Sequence, residues 1–235
     1  VNIIYEGTLQ QGGESFTVSE LSLENINEII ALQNTVINSL EKKETLQPLT
    51  KKEFLNILSG NGLMLGVFLE ERLIGFRALL VPEIDEDHLG RDIGLSEEEL
   101  PGVIYQEVSI VHQKYRGNRL QQTLAILIMQ ELMKTDNSFT HICCTVAPFN
   151  IPSLKDKFAQ GMEIAALKEK YGGMLRYVFV KELSEGRDKD WSEITRLKMG
   201  DTKAQQEMLA AGWRGIQLEL EDGEYWVSFG RNQEN

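Results

Sequence analysis

The chain has 235 residues, of which 42% are hydrophobic, and its 36 acidic against 24 basic side chains give a formal net charge of −12. That length suits one large domain, or one domain with a small extension, in a soluble globular protein, and the negative charge argues against a nucleic-acid partner while favouring a cationic or amine substrate. No apolar run reaches the length of a membrane span, and Val1 to Glu6 lack a basic stretch leading into an apolar one, so the reading is no membrane segment, no secretory signal and a cytoplasmic location.

Ser15 to Ser19 reads as a short strand. Ser22 then caps a helix whose Ile26, Ile29, Ile30, Ile37 and Leu40 recur at helical spacing. Thr50-Lys51-Lys52-Glu53 is a capping-box pattern ahead of Phe54, Ile57 and Leu58, and Gly60-Asn61-Gly62 stops that second helix. Strands at Leu63 to Leu69 and Arg72 to Val81 flank a tight turn at Glu70-Glu71. Pro82 to Gly102 carries eight carboxylates and one arginine and reads as an acidic loop. Asp85, Asp87 and Gly90 have a superficial calcium-loop look. Leu89 stands where an oxygen ligand is needed, however, and Ser96 where a bidentate glutamate belongs, so no metal is expected.

Val103 to Lys134 is the most informative stretch. A β-rich run through Val108, Ile110 and Val111 ends in the turn Tyr115-Arg116-Gly117-Asn118-Arg119-Leu120-Gln121, which opens a long apolar helix. Free backbone N–H groups beside two arginines describe a phosphate cradle. The same residues also suit an ordinary αβ unit whose arginines are merely solvated. His141 to Val146 is the next strand; its adjacent Cys143 and Cys144 point to opposite faces and read as small buried hydrophobes in a reducing compartment. Asn150 and Pro152 suit a turn before a helix from Ser153 to Gln160, which Gly161 ends. Strands at Met162 to Lys170 and Met174 to Leu183 flank a hairpin turn at Tyr171-Gly172-Gly173.

Beyond this, Ser184 to Gly200 reads as a polar connector, and Asp201 caps a helix ending at Gly212. Gly215 to Gly230 is a hairpin with its turn at Asp222-Gly223, placing Ile216, Leu218 and Leu220 on the face shared with Tyr225, Val227 and Phe229. A lone hairpin is at best marginal in water, so this helix-hairpin unit is expected to pack on the main domain or on a second subunit. A homodimer is left open.

The turn from Tyr115 to Gln121 resembles the pyrophosphate-binding YRGxGxG turn of the GNAT superfamily, the acyl-CoA-dependent N-acyltransferases, although that family usually has glycine at Arg119 and glycine or alanine at Gln121. Asn150, Ser153, Gly161 and Met162 resemble its N-x-x-[AS] through G-[FY] signature. The element order over Ser15 to Leu183 is also that of the family. The resemblance implies an α/β fold (mixed α+β) with a GNAT-like central mixed sheet and helices on both faces over residues 1–183. Residues 184–235 would form a connector and a helix-hairpin extension.

It further implies acetyl-CoA as cofactor, with pantetheine against Ser109, Ile110 and Val111. Pyrophosphate would sit on Arg116, Gly117, Asn118, Arg119, Leu120 and Gln121, with Asn150 and Ser153 also at the cofactor. Glu107 stands where many members carry the carboxylate that takes the amine proton. Lys157 stands where many have the tyrosine that protonates the departing thiolate. The expected acceptor is a small-molecule or peptide amine. The rival expectation is a GNAT-derived module that binds a ligand or protein without catalysis, which the two replaced glycines and the missing tyrosine favour.

Overall fold

The structure, a computed structural model, describes residues 2–40, 46–135, 138–183 and 191–232. Its strands are β1 (Ile3–Thr8), β2 (Ser15–Glu20), β3 (Gly62–Leu69), β4 (Arg72–Leu80), β5 (Val103–Val111), β6 (His141–Val146), β7 (Glu163–Lys170), β8 (Met174–Glu182), β9 (Glu193–Lys198), β10 (Arg214–Glu221) and β11 (Glu224–Arg231). Its α-helices are α1 (Ile26–Asn38), α2 (Lys51–Leu58), α3 (Leu89–Asp92), α4 (Leu120–Lys134), α5 (Ile151–Ala159) and α6 (Thr202–Ala210). The class is α/β, as expected. Two compact units are distinguished, Val1–Pro82 with Ile104–Ser138, and Glu83–Val103 with Phe139–Asn235.

In the first unit, β1 to β5 pair antiparallel in chain order. Thr50 makes the expected capping box: its hydroxyl accepts from Glu53 N–H, and the Glu53 carboxylate accepts from Thr50 N–H at 2.6 Å. Ser22 makes a second box, but with Asn25, so a 3-10 turn (Leu23–Asn25) precedes α1. The buried Gln33 amide pins the approach to α2, donating to the Leu49 carbonyl at 2.8 Å and accepting from Leu49 N–H at 3.0 Å. Ile29, Leu32 and Val36 of α1 and Phe54 and Ile57 of α2 pack with Met64, Phe76, Ala78, Val108 and Ile110 of the sheet. The alternate residues Leu65, Val67 and Leu79 are equally buried, and α4 packs on β3 and β4, so helices cover both faces here.

In the second unit the strand order is β6-β8-β7-β10-β11-β9, all antiparallel. The carboxyl-terminal hairpin extends this sheet: Gly215 of β10 pairs with Ile164 of β7, and a Cβ at Gly215 would come within 2.9 Å of the Ile164 side chain. The helix α6 packs on β7 and β10. Its buried Gln205 accepts from the Tyr177 hydroxyl at 2.7 Å and donates to the Met199 and Lys198 carbonyls at 2.8 and 3.2 Å. The expected docking of this segment is therefore made by sheet extension and by one buried amide.

Several expectations need correction. Ser184 to Gly200 is not all connector, because Glu193–Lys198 forms β9 on β11; residues 184–190 lie outside the described residues. Strand β1 was not anticipated, and α5 begins at Ile151, ahead of the expected Ser153. The hairpin's apolar face is only partly buried: a bulge at Ile216 interrupts the alternation and Leu220 is 61% exposed, while Val227 and Phe229 are fully buried. The acidic insert is more than a loop. It contains α3 and a 3-10 turn (Leu100–Gly102), and its Asp92 bridges Lys168 and Lys170 of β7 at 2.9 and 2.5 Å.

Candidate active site

The turn after β5 is built by local bonds that leave the amides from Gly117 onward without partners among the described residues. His112 ends the strand, its ring Nδ1 accepting from Lys114 N–H at 3.2 Å and its N–H reaching the Ile74 carbonyl at 2.9 Å. Burial, then the charges of Arg72, Lys114 and Arg116, holds this imidazole below its usual range. The 3-10 turn Gln113–Tyr115 follows, with Tyr115 buried. Asn118 is also buried: its Oδ1 accepts from Gln11 N–H at 2.8 Å, and its Nδ2 donates to the Tyr115 carbonyl at 3.1 Å. Its side chain thus braces the turn, which leaves only its backbone for a ligand.

Gly117 has φ +81°, and a Cβ there would stand 2.8 Å from the Gln11 amide nitrogen, so only glycine fits without strain. Arg119 caps α4 in the left-handed region, φ +58°, with no side-chain cap bond. The backbone therefore keeps the shape that glycine favours, and the arginine carries the strain. Thr123 N–H makes the first helical bond, to Arg119 at 2.9 Å. Among the described residues, the N–H groups of Gly117, Asn118, Arg119, Leu120, Gln121 and Gln122 have no backbone or side-chain acceptor. Arg116 and Arg119 are exposed beside them. A row of unpaired amides, a helix N-terminus and two guanidinium groups are chemically suited to an anion such as the diphosphate of an acyl-CoA.

Glu107 lies at a β-bulge. The register with β4 runs Arg77↔Ser109, Ala78↔Val108 and then Leu79↔Gln106, so Glu107 is the extra residue. Simple alternation with Ser109 would put it on the α4 face. The bulge takes it out of that alternation, and the carboxylate of Glu53, in the first turn of α2, acts on it. Burial, reinforced by Glu53, pushes the Glu107 carboxyl up from 4.5 to about 7. A carboxylate poised there is suited to take a proton near neutral pH. Ser109 pairs with Arg77 across the ladder; its Oγ is buried and has no hydrogen-bond partner among the described residues. Ile110 and Val111 continue the strand, Ile110 within the α1–α2 core.

Sequence reasoning missed Arg77. It is 1% exposed in the middle of β4, its Nη2 donating to Gln106 Oε1 at 2.6 Å and its Nη1 to the Gln121 carbonyl at 3.2 Å. The available signal was a lone arginine inside Leu73-Ile74-Gly75-Phe76-Arg77-Ala78-Leu79-Leu80. Glu53, whose sequence signal is that of a capping residue, also acts on Glu107.

The remaining site expectations fall in the second unit. Asn150 caps α5, its Oδ1 accepting from Ser153 N–H at 3.4 Å, after Phe149 in the left-handed region. Lys157, at the position of the family's tyrosine, is buried, with its ammonium 3.3 Å from the Asp156 carboxylate. The free cysteines Cys143 and Cys144 are buried, and burial raises the Cys143 thiol far above its usual range. Among the described residues no cluster of His, Cys, Asp or Glu is placed to hold a metal ion, and no helix is long and apolar enough to cross a membrane.

No protein-family model matches the sequence, and no curated protein matches it either. Solved structures do match in shape. An acetyltransferase of the GNAT family from Streptococcus pneumoniae superposes with a TM-score of 0.55 at 16% identity, over 72% of this chain and 99% of its own. The ribosomal-protein-S18-alanine N-acetyltransferase from Escherichia coli gives 0.54 at 13% identity, over 75% and 99% of the two chains. A putative acetyltransferase from Salmonella typhimurium, solved with its cofactor acetyl-CoA, gives 0.54 at 12% identity, over 74% and 98%. At such identities the likeness speaks for the fold alone: over about three quarters of its length this chain has the fold of these acetyltransferases.

Proposed function

We propose that this chain transfers an acetyl group from acetyl-CoA to a primary amine of a small-molecule or peptide acceptor. The observation that carries the reading is one unit holding both a row of outward amides from Gly117 to Gln122 and a bulged Glu107 whose carboxyl lies at about 7. The bound cofactor would supply an activated acyl thioester. Arg116, Arg119 and the amides of the turn bind its diphosphate, the arginines by charge-assisted bonds worth roughly 1.5 to 3 kcal/mol each. Exposed backbone of Ser109 to Val111 would orient the pantetheine arm, one of its N–H groups polarising the thioester carbonyl. Glu107 takes the proton of the acceptor ammonium, directly or through water, because only the free amine attacks.

No tyrosine stands at the position of Lys157, and its ammonium is tied to Asp156. Lys157 therefore supplies no proton to a leaving thiolate, and a thiolate of ordinary pKa, about 8.5, would not require one. The catalytic core in this reading is residues 1–183, with residues 184–235 as the extension. Buried free cysteines fit a reducing, cytoplasmic setting.

The second reading is a ligand- or protein-binding module without catalysis, favoured by the strained Arg119 at a glycine-type position and by Lys157. Calorimetry with coenzyme A tests the cradle that the enzyme reading requires. The wild type is expected to bind, and the double change Arg116→Ala, Arg119→Ala to weaken binding several-fold or more. Equal affinities, or no binding to either, would remove the cradle.

A further inference from the structure

Among the described residues Arg77 is the largest fully buried side chain, set between Phe76 and Ala78 in a strand that is apolar from Leu73 to Leu80 apart from it. Burying a guanidinium is costly, and a methionine or leucine would fill such a slot without that cost. What the guanidinium adds is direction. Its Nη2 donates at 2.6 Å to Gln106, the residue immediately before the bulged Glu107. Its Nη1 donates at 3.2 Å to the carbonyl of Gln121, in the first turn of α4 and at the end of the row of outward amides. One rigid, planar fork from β4 thus holds the bulge on one side and the anion-binding helix start on the other.

We infer that Arg77 is a positioning residue for the transfer proposed above, fixing the Glu107 bulge and the first turn of α4 relative to each other so that base and cradle serve one bound molecule. The inference rests on that reading of the site. It assigns Arg77 no contact with cofactor or acceptor. Its reach is geometric: a loosened first turn splays the amides of Gly117 to Gln122, and a loosened bulge lets water reach Glu107. A purely structural arginine would change stability alone.

The test compares the full chain with Arg77→Met and Arg77→Lys, using calorimetry with coenzyme A on the folded fraction and the pH profile of acetyl transfer. Arg77→Met is expected to weaken coenzyme A at least five-fold and to move the acid limb of the profile downward, because a better-hydrated Glu107 ionises more readily. Arg77→Lys keeps the charge and one donor, and should recover part of both effects while still losing about two-fold or more in affinity. If Arg77→Met does not fold, Arg77→Lys is read alone against the same expectation. Wild-type affinity together with an unmoved profile in the variants that fold would overturn the inference while leaving the cofactor reading intact. A wild type that binds no coenzyme A would overturn the cofactor reading, and this inference with it.

Discussion

Replacing Glu107 by glutamine should make the protein more stable and less active, with the gain in stability growing as pH rises. The carboxyl lies at about 7 in the folded chain against an ordinary 4.5, with burial as the main cause and Glu53 adding to it. A group whose folded value is raised binds its proton more tightly in the folded state, so stability falls as pH climbs from about 4.5 toward 7 and then levels. At 1.36 kcal/mol per pH unit, the penalty for ionised Glu107 is about 3 kcal/mol at pH 8, about 2 at pH 6 and below roughly 0.5 at pH 4.5. Glutamine has the shape of the protonated acid and never ionises. Denaturant unfolding of wild type and Glu107→Gln at pH 4.5, 6 and 8 should therefore show a gap that opens with pH. In the same pair, acetyl transfer at neutral pH should fall about ten- to a thousand-fold with coenzyme A affinity nearly intact. A stability gap that is constant with pH, or wild-type turnover in the variant, would refute the placement of Glu107 as a half-buried, poised base.

Two further outcomes follow from the geometry. Arg119→Gly should stabilise the chain by up to about 1 kcal/mol, since it removes a left-handed arginine, yet weaken coenzyme A several-fold through loss of a guanidinium; unfolding midpoints and calorimetry read the two effects separately. Gln205→Leu should cost about 2 to 4 kcal/mol in urea unfolding, because the Tyr177 hydroxyl and two carbonyls lose their buried partner, and coenzyme A affinity should stay unchanged.

Local chemistry was the legible part of this chain. The Thr50 capping box, the ends of β5 and β6, the Asp201 cap and the Asp222-Gly223 turn are short-range patterns with short-range causes, and the structure has them where the residues place them. Pairing across long stretches of sequence was not legible. Strand β9 alternates between exposed Ile194, Arg196 and Lys198 and half-buried Thr195 and Leu197, a pattern too polar to stand out from a connector until β11 pairs with it. The site shows the same split. Arg116 to Gln121 could be read as an anion turn, whereas the bulge that re-aims Glu107 depends on one residue of register against β4, and the grip of Arg77 joins positions 29 and 44 residues apart. Asn118 shows the split within one residue: its backbone N–H belongs to the row that the motif suggests, while the bracing of Gln11 and Tyr115 by its buried side-chain amide could not be read from the motif.

The most direct test of the central claim is product formation. Wild-type chain is incubated at pH 8 with acetyl-CoA and a panel of monoamines, polyamines and peptides with free N-termini, and thiol release is followed together with the mass of each amine. The account predicts thiol release that depends on an amine, one or more amines gaining the mass of an acetyl group, and loss of both signals in Glu107→Gln. Tight coenzyme A binding with no amine acetylated would contradict it and leave the non-catalytic binding module standing.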